Sequence, residues 1–124
     1  MAEESPFKGQ TGLRRVWNAL HYSLAGLRAV YAAEDAFRQE VLLAALLIPL
    51  AFFLAPGGIG LALMVGSVVF VLIVELLNSA IEATVDRVSL DWHPLAKRAK
   101  DVGSAAVLLA LLGVPFVWAC VLLG

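Results

Sequence analysis

The sequence predicts an all-α integral membrane protein: three transmembrane helices preceded by an amphipathic helix on the membrane surface. Three observations carry that reading. The 124-residue chain is 61% hydrophobic and 15% charged, with a mean hydropathy of +0.89, far from the balance of a soluble domain. Its apolar residues gather into three long blocks, and ahead of them a stretch of helical periodicity mixes Arg with Trp and Leu. A net charge of −1 offers nothing to nucleic acid. No linker or repeat divides the chain, so residues 1–124 form a single membrane domain.

Residues 1–10 read as disordered, and no signal peptide is visible there. From Leu13, the residues Trp17, Leu20, Leu24, Leu27 and Tyr31 recur at spacings of four and three, with Arg14, Arg15, Asn18, His21 and Arg28 between them. This predicts an amphipathic helix over 12–33. Three Arg residues at the bilayer centre would each cost about 3 kcal/mol or more, so it lies in the surface.

The first span is expected over 36–55, with Pro49 inside it bending the helix. PGGIG, Pro56 to Gly60, closes a tight helical hairpin. The second helix, over 59–88, is some 30 residues, or about 45 Å at 1.5 Å each, longer than about 30 Å of hydrocarbon. One end must project, and its polar residues all lie at the C-terminal end. A polar connector, SLDWHPLAKRAKD, leads to a third span over 102–123, which carries Cys120 as a small packing or lipid-facing residue.

All nine Lys and Arg residues fall ahead of or in the first turn of the first span, or from the end of the second helix to the start of the third. The positive-inside rule then gives a cytoplasmic N-terminus and a cytoplasmic second loop.

In VELLNSAIEATVD, Val74 to Asp86, the residues Glu75, Asn78, Glu82 and Asp86 follow at spacings of three, four and four after sixteen uncharged positions. At 100° per residue they and Ser79 share one face within about 60° of Glu75, and the stripe climbs about 16 Å from the oily layer to the aqueous one. Ionisable groups at membrane depth are costly and mark function. Asp86, at the helix end, reads either as a partner for a base on another helix or as part of the site.

A proton or ion path would also use such carboxylates. The surrounding residues point instead to phosphate chemistry: Glu34, Asp35 and Glu40 on one side and HPLAKRAKD on the other supply acids for a divalent cation and bases for anionic oxygens. Mg²⁺ bound with nucleotide phosphates needs few protein ligands, a deeper carboxylate can take the proton of a lipid hydroxyl, and Lys100 can neutralise charge on a transferred phosphoryl group. There is no GxxxxGK[ST], which excludes a soluble-kinase phosphate loop.

VELLNSAIEATVDR, followed fourteen residues later by the KD of AKDVGSAAV, with GLRAVYAAE and AFRQE ahead of it, resembles the bacterial membrane diacylglycerol kinase family over nearly the whole chain from Gly12 to Leu123. The resemblance implies a homotrimer of three-span subunits in the bacterial inner membrane that phosphorylates a lipid alcohol from MgATP at the cytoplasmic interface. By that likeness Glu75 is the general base and Asn78 supports it. Glu34 and Glu82 hold the metal. Arg15, Tyr22, Asp91, Trp92, His93, Lys100 and Asp101 lie along the nucleotide site.

Lipid contacts are implied for Asn18, Ala19, Leu20, His21, Tyr22 and Ser23, for Arg28, Ala29, Val30 and Tyr31, for Ala36, Phe37, Arg38, Gln39 and Glu40, and for Arg15 and Ser104. The chain departs from the family pattern at Asn18 and Ala25, where lysines are common, and at Pro94 after His93. The expected acceptor is diacylglycerol, with undecaprenol, or proton-coupled transport without ATP turnover, as alternatives. Sites are expected to be shared between subunits, a neighbour's surface helix bringing Arg15 and Glu34 to Glu75.

Overall fold

A computed structural model describes residues 11–124, which leaves the disorder expected for 1–10 outside the described residues. The fold is all-helical: α1 (Gly12–Ala33), α2 (Asp35–Leu54), α3 (Gly58–Val88) and α4 (Pro94–Leu123). The last three are long and apolar enough to cross a membrane.

α1 is a unit of its own. Within it His21 Nδ1 lies 2.9 Å from the Trp17 carbonyl oxygen, the two rings sit 4.5 Å apart, and the Ser23 hydroxyl donates to the Ala19 carbonyl at 2.8 Å.

The second unit begins at Glu34. α2 starts at Asp35, whose charge suits the positive end of the helix dipole and pairs with Arg38 one turn on. Pro49 lies inside α2 without ending it. Only three residues separate α2 from α3, so the two form the hairpin read from PGGIG, and α3 packs along both neighbours.

The third membrane helix begins earlier than expected. The sequence placed its start at 102 within a polar connector, yet helix runs from Pro94 and the connector shrinks to residues 89–93. Proline at the first helical position costs nothing, because its missing N–H would be unpaired there. The His93 side chain accepts from the Leu95 N–H at 3.1 Å and caps the turn, after which Ala, Lys and Arg propagate the helix well. α4 thereby overshoots the bilayer at the same end as α3.

Small residues let the helices approach. The core is Ala44, Ala51, Met64, Val68 and Trp118, from all three helices. The Trp118 indole donates to the Met64 carbonyl at 3.1 Å, which satisfies a buried N–H. A Cβ on Gly60 would stand 2.8 Å from Val121 Cγ1, so the Val121 side chain of α4 packs directly on the α3 backbone there. Large apolar side chains such as Phe53, Phe70, Leu109 and Phe116 stay exposed, as lipid-facing residues should.

Candidate functional site

Glu34 has extended backbone, φ −126° and ψ 119°, and stands where a helix cap would, but its carboxylate makes no capping bond. It accepts instead from the Ser79 hydroxyl of α3. Glu34 and Glu75 therefore line one cleft within a single chain. The reason is local: α1 stops at Ala33, and the extended turn at 34 ties that residue to α2.

The cleft has a volume of about 620 Å³ and draws on three helices. Glu34, Ala36, Gln39 and Glu40 come from the head of α2, Glu75, Asn78 and Glu82 from α3, and Ser104 from α4, over an apolar floor that includes Leu43, Val107 and Leu111. Five carboxylate residues line it, Asp35 among them, and no Lys, Arg or His among the described residues does. Glu75 is only 5% exposed. The stripe read from the sequence thus delivers Glu75, Asn78 and Glu82 to one cavity.

Asn78 donates to Glu82, one turn on, at 3.5 Å, the outer limit for such a bond. A backbone glycine, Gly103 of α4, comes so close to the Asn78 amide oxygen that no Cβ fits between them. Phe37, grouped with the lipid contacts, turns inward and is buried, while Arg38 engages Asp35.

Glu40, expected among the acids and the lipid contacts, is also a core residue. It is buried on the face of α2 that also holds Phe37, Ala44 and Ala51, at helical spacings of three, four and seven. A carboxylate on the core face of a membrane helix was the available signal. Its Oε2 has no hydrogen-bond partner, and neither has the buried Asn78 Oδ1.

A second cavity of about 380 Å³ lies at the α3–α4 connection. It gathers Asp91, Trp92, His93, Lys100 and Asp101, all expected along a nucleotide site, and adds Asp86 and Lys97. Lys100 pairs with Asp86 at 2.8 Å, so the helix-end acid does meet a base of another helix. Lys97 pairs with Asp101 at 2.5 Å. Because Glu82 and Asp86 are one turn of α3 apart, the two cavities adjoin over about 6 Å of rise. Arg15, Asn18–Ser23 and Arg28–Tyr31 lie along α1, with Arg15, Asn18 and Tyr22 at spacings of three and four on one face.

Hard carboxylate oxygens in an acidic cleft fit Mg²⁺. Among the described residues no three of His, Cys, Asp and Glu form a metal-holding group.

Comparison with known proteins gives this arrangement a family. Residues 21–122 match the family model described as prokaryotic diacylglycerol kinase. The chain is similar to a diacylglycerol kinase of Pseudomonas aeruginosa, 60% identical over 97% of this chain and 98% of the relative. It is also similar to those of Haemophilus influenzae, 49% identical over 90% and 95%, and Escherichia coli K12, 48% identical over 91% and 92%. Three membrane helices, an acidic cleft at one end and relatives matched almost from end to end agree: the chain belongs to the prokaryotic diacylglycerol kinase family.

Proposed function

We propose that the two cavities form the active site of an ATP-dependent diacylglycerol kinase, which moves the γ-phosphoryl group of ATP to the hydroxyl of diacylglycerol and yields phosphatidic acid. One observation carries the reading: an acidic cleft with an apolar floor adjoins, one helical turn away, a cavity holding Lys97 and Lys100. The first suits an amphiphilic alcohol and the second a polyphosphate. The names of the relatives direct the choice of alcohol.

Glu75, the deepest α3 carboxylate of the cleft, takes the proton of the lipid hydroxyl as its oxygen bonds to the γ-phosphorus. The bond from that phosphorus to the β–γ bridging oxygen breaks, and ADP leaves. Glu34, fixed by Ser79, and Glu82, approached by Asn78, would hold Mg²⁺, which offsets the negative charge that the phosphates bring to an acidic cleft. Lys100 supplies positive charge beside the transferred group, with Asp91, Trp92, His93 and Asp101 along the nucleotide.

α1 is the amphipathic surface helix, on the cytoplasmic face of the bacterial inner membrane, where every Lys and Arg gathers. In a homotrimer the α1 of one subunit, with Arg15 and Tyr22 for nucleotide and its other polar residues for lipid, serves the cleft of another.

The test is incubation of detergent-purified protein with labelled MgATP and a panel of lipid alcohols. Label in phosphatidic acid is expected. Label on undecaprenol instead would move the substrate, and no label on any lipid would overturn the reading.

A further inference from the structure

Asp86 closes the acidic stripe of α3, and the chemistry above leaves it without a role. Its Oδ1 accepts from the Lys100 ammonium at 2.8 Å, across fourteen positions of sequence and from one helix to the next. We propose that Asp86 is a positioning residue, which holds the Lys100 ammonium beside the junction of the two cavities in the orientation that meets the phosphoryl group in transfer. The proposal rests on the lipid-kinase reading and deepens it.

Placement is the first support. Asp86 and Lys100 both line the second cavity, and Glu82, one turn of α3 earlier, lines the acidic cleft. A lysine with no partner spreads its charge over the many rotamers of a flexible stem. The bond to Asp86 fixes the ammonium within about 6 Å of rise from Glu82. Because the ammonium carries three donors and this bond uses one, Lys100 can keep Asp86 and still meet anionic oxygens.

The second support is the origin of the partner. Lys97 pairs with Asp101 one turn along its own helix, a contact that any isolated helix can make. Lys100 has no such acid: Ala96 and Ser104 stand one turn to either side of it on α4. Its carboxylate has to come from another element, and the α3 stripe supplies it.

Structure alone gives the pair little reason to exist. The two side chains are 43% and 45% exposed, and exposed ion pairs contribute little to stability. α3 and α4 are already joined through the core and the Trp118–Met64 bond.

The experiment measures transfer from labelled MgATP to diacylglycerol, together with the melting temperature, in the wild type, Asp86→Asn, Asp86→Glu, Lys100→Met and Asp86→Asn combined with Lys100→Met. Asp86→Asn removes the charge that grips the ammonium, so kcat should fall at least about tenfold while the KM for ATP stays within about threefold. Its melting temperature should stay within about 2 °C of the wild type. Asp86→Glu keeps a carboxylate and should restore kcat to within about threefold of the wild type. In the Lys100→Met background, Asp86→Asn should cost less than about twofold further, because the residue it acts through has gone. An unchanged kcat in Asp86→Asn, or the full loss repeated without Lys100, overturns the positioning role and leaves the kinase intact. So does a large fall in melting temperature, which makes the pair structural, or a tighter KM for ATP with kcat kept, which makes Asp86 a competitor for Lys100. No transfer to any lipid by the wild type overturns the kinase reading and the positioning role with it.

Discussion

The Ser79 hydroxyl donates to the carboxylate of Glu34, forty-five positions earlier in the chain, and so ties the head of α2 to the middle of the α3 stripe. This bond locates one proposed metal ligand without spending the carboxylate on a helix cap. Hydrogen bonds to charged groups contribute about 1.5–3 kcal/mol, and the partial exposure of Glu34 places this one near or below the low end. Ser79→Ala should raise the Mg²⁺ concentration for half-maximal activity about fivefold, with maximal turnover within a factor of about two. Titration of activity against Mg²⁺ decides it: an unchanged midpoint removes Ser79 from the site.

Glu75 is the α3 carboxylate farthest from the α3–α4 connection, where the nucleotide residues gather. It should therefore act on the lipid and not on ATP. Glu75→Gln keeps the shape and removes the base, so turnover should fall by about 10² or more while ATP affinity stays within about twofold. Turnover near the wild-type value would end the assignment.

Gly103 is a glycine for steric reasons, since any Cβ there would strike the Asn78 amide. Gly103→Ala forces Asn78 aside, at a cost of about 1–3 kcal/mol for overpacking, and disturbs Glu82 through it. The variant should melt earlier and need more Mg²⁺. In an Asn78→Ala background the same substitution should be nearly silent for stability, because the clash has gone. Full additivity of the two losses would show that Gly103 acts elsewhere.

Much of this was legible in sequence because the bilayer is a demanding solvent. Uncharged runs between Pro/Gly and polar breaks admit little besides spanning helices, and the 3-4-4 spacing of Glu75, Asn78, Glu82 and Asp86 puts them on one face wherever the helix lies. Contacts between helices were not legible. Nothing in the periodicity of α3 says that Ser79 meets Glu34 or that Asp86 meets Lys100, since both depend on how three helices are rotated about their axes. Glu40 was legible as an acid and as a lipid contact, but its place on the buried face of α2 depends on how that helix is rotated. The early start of α4 was hidden by charge: Lys97, Arg98, Lys100 and Asp101 argue against membrane, yet they do not argue against helix.

Because Glu34 and Glu75 line one cleft of one chain, mixing an inactive Glu34→Ala subunit with an inactive Glu75→Gln subunit should recover nothing: every cleft in every mixed assembly carries one of the two lesions. The proposed service of one subunit's α1 to another's cleft predicts the opposite for Arg15→Ala mixed with Glu75→Gln. There, a cleft with intact Glu75 can meet an intact Arg15 from its neighbour. Mixed assemblies should be isolated through two different affinity tags before assay, so that failure to assemble is not mistaken for failure to complement. Recovery in the Glu34 mixture would show that this carboxylate leaves its own cleft on assembly. Absence of recovery in the Arg15 mixture would confine α1 to its own subunit's site, or remove Arg15 from the site, while leaving the roles of Glu75, Glu34 and Glu82 as they stand.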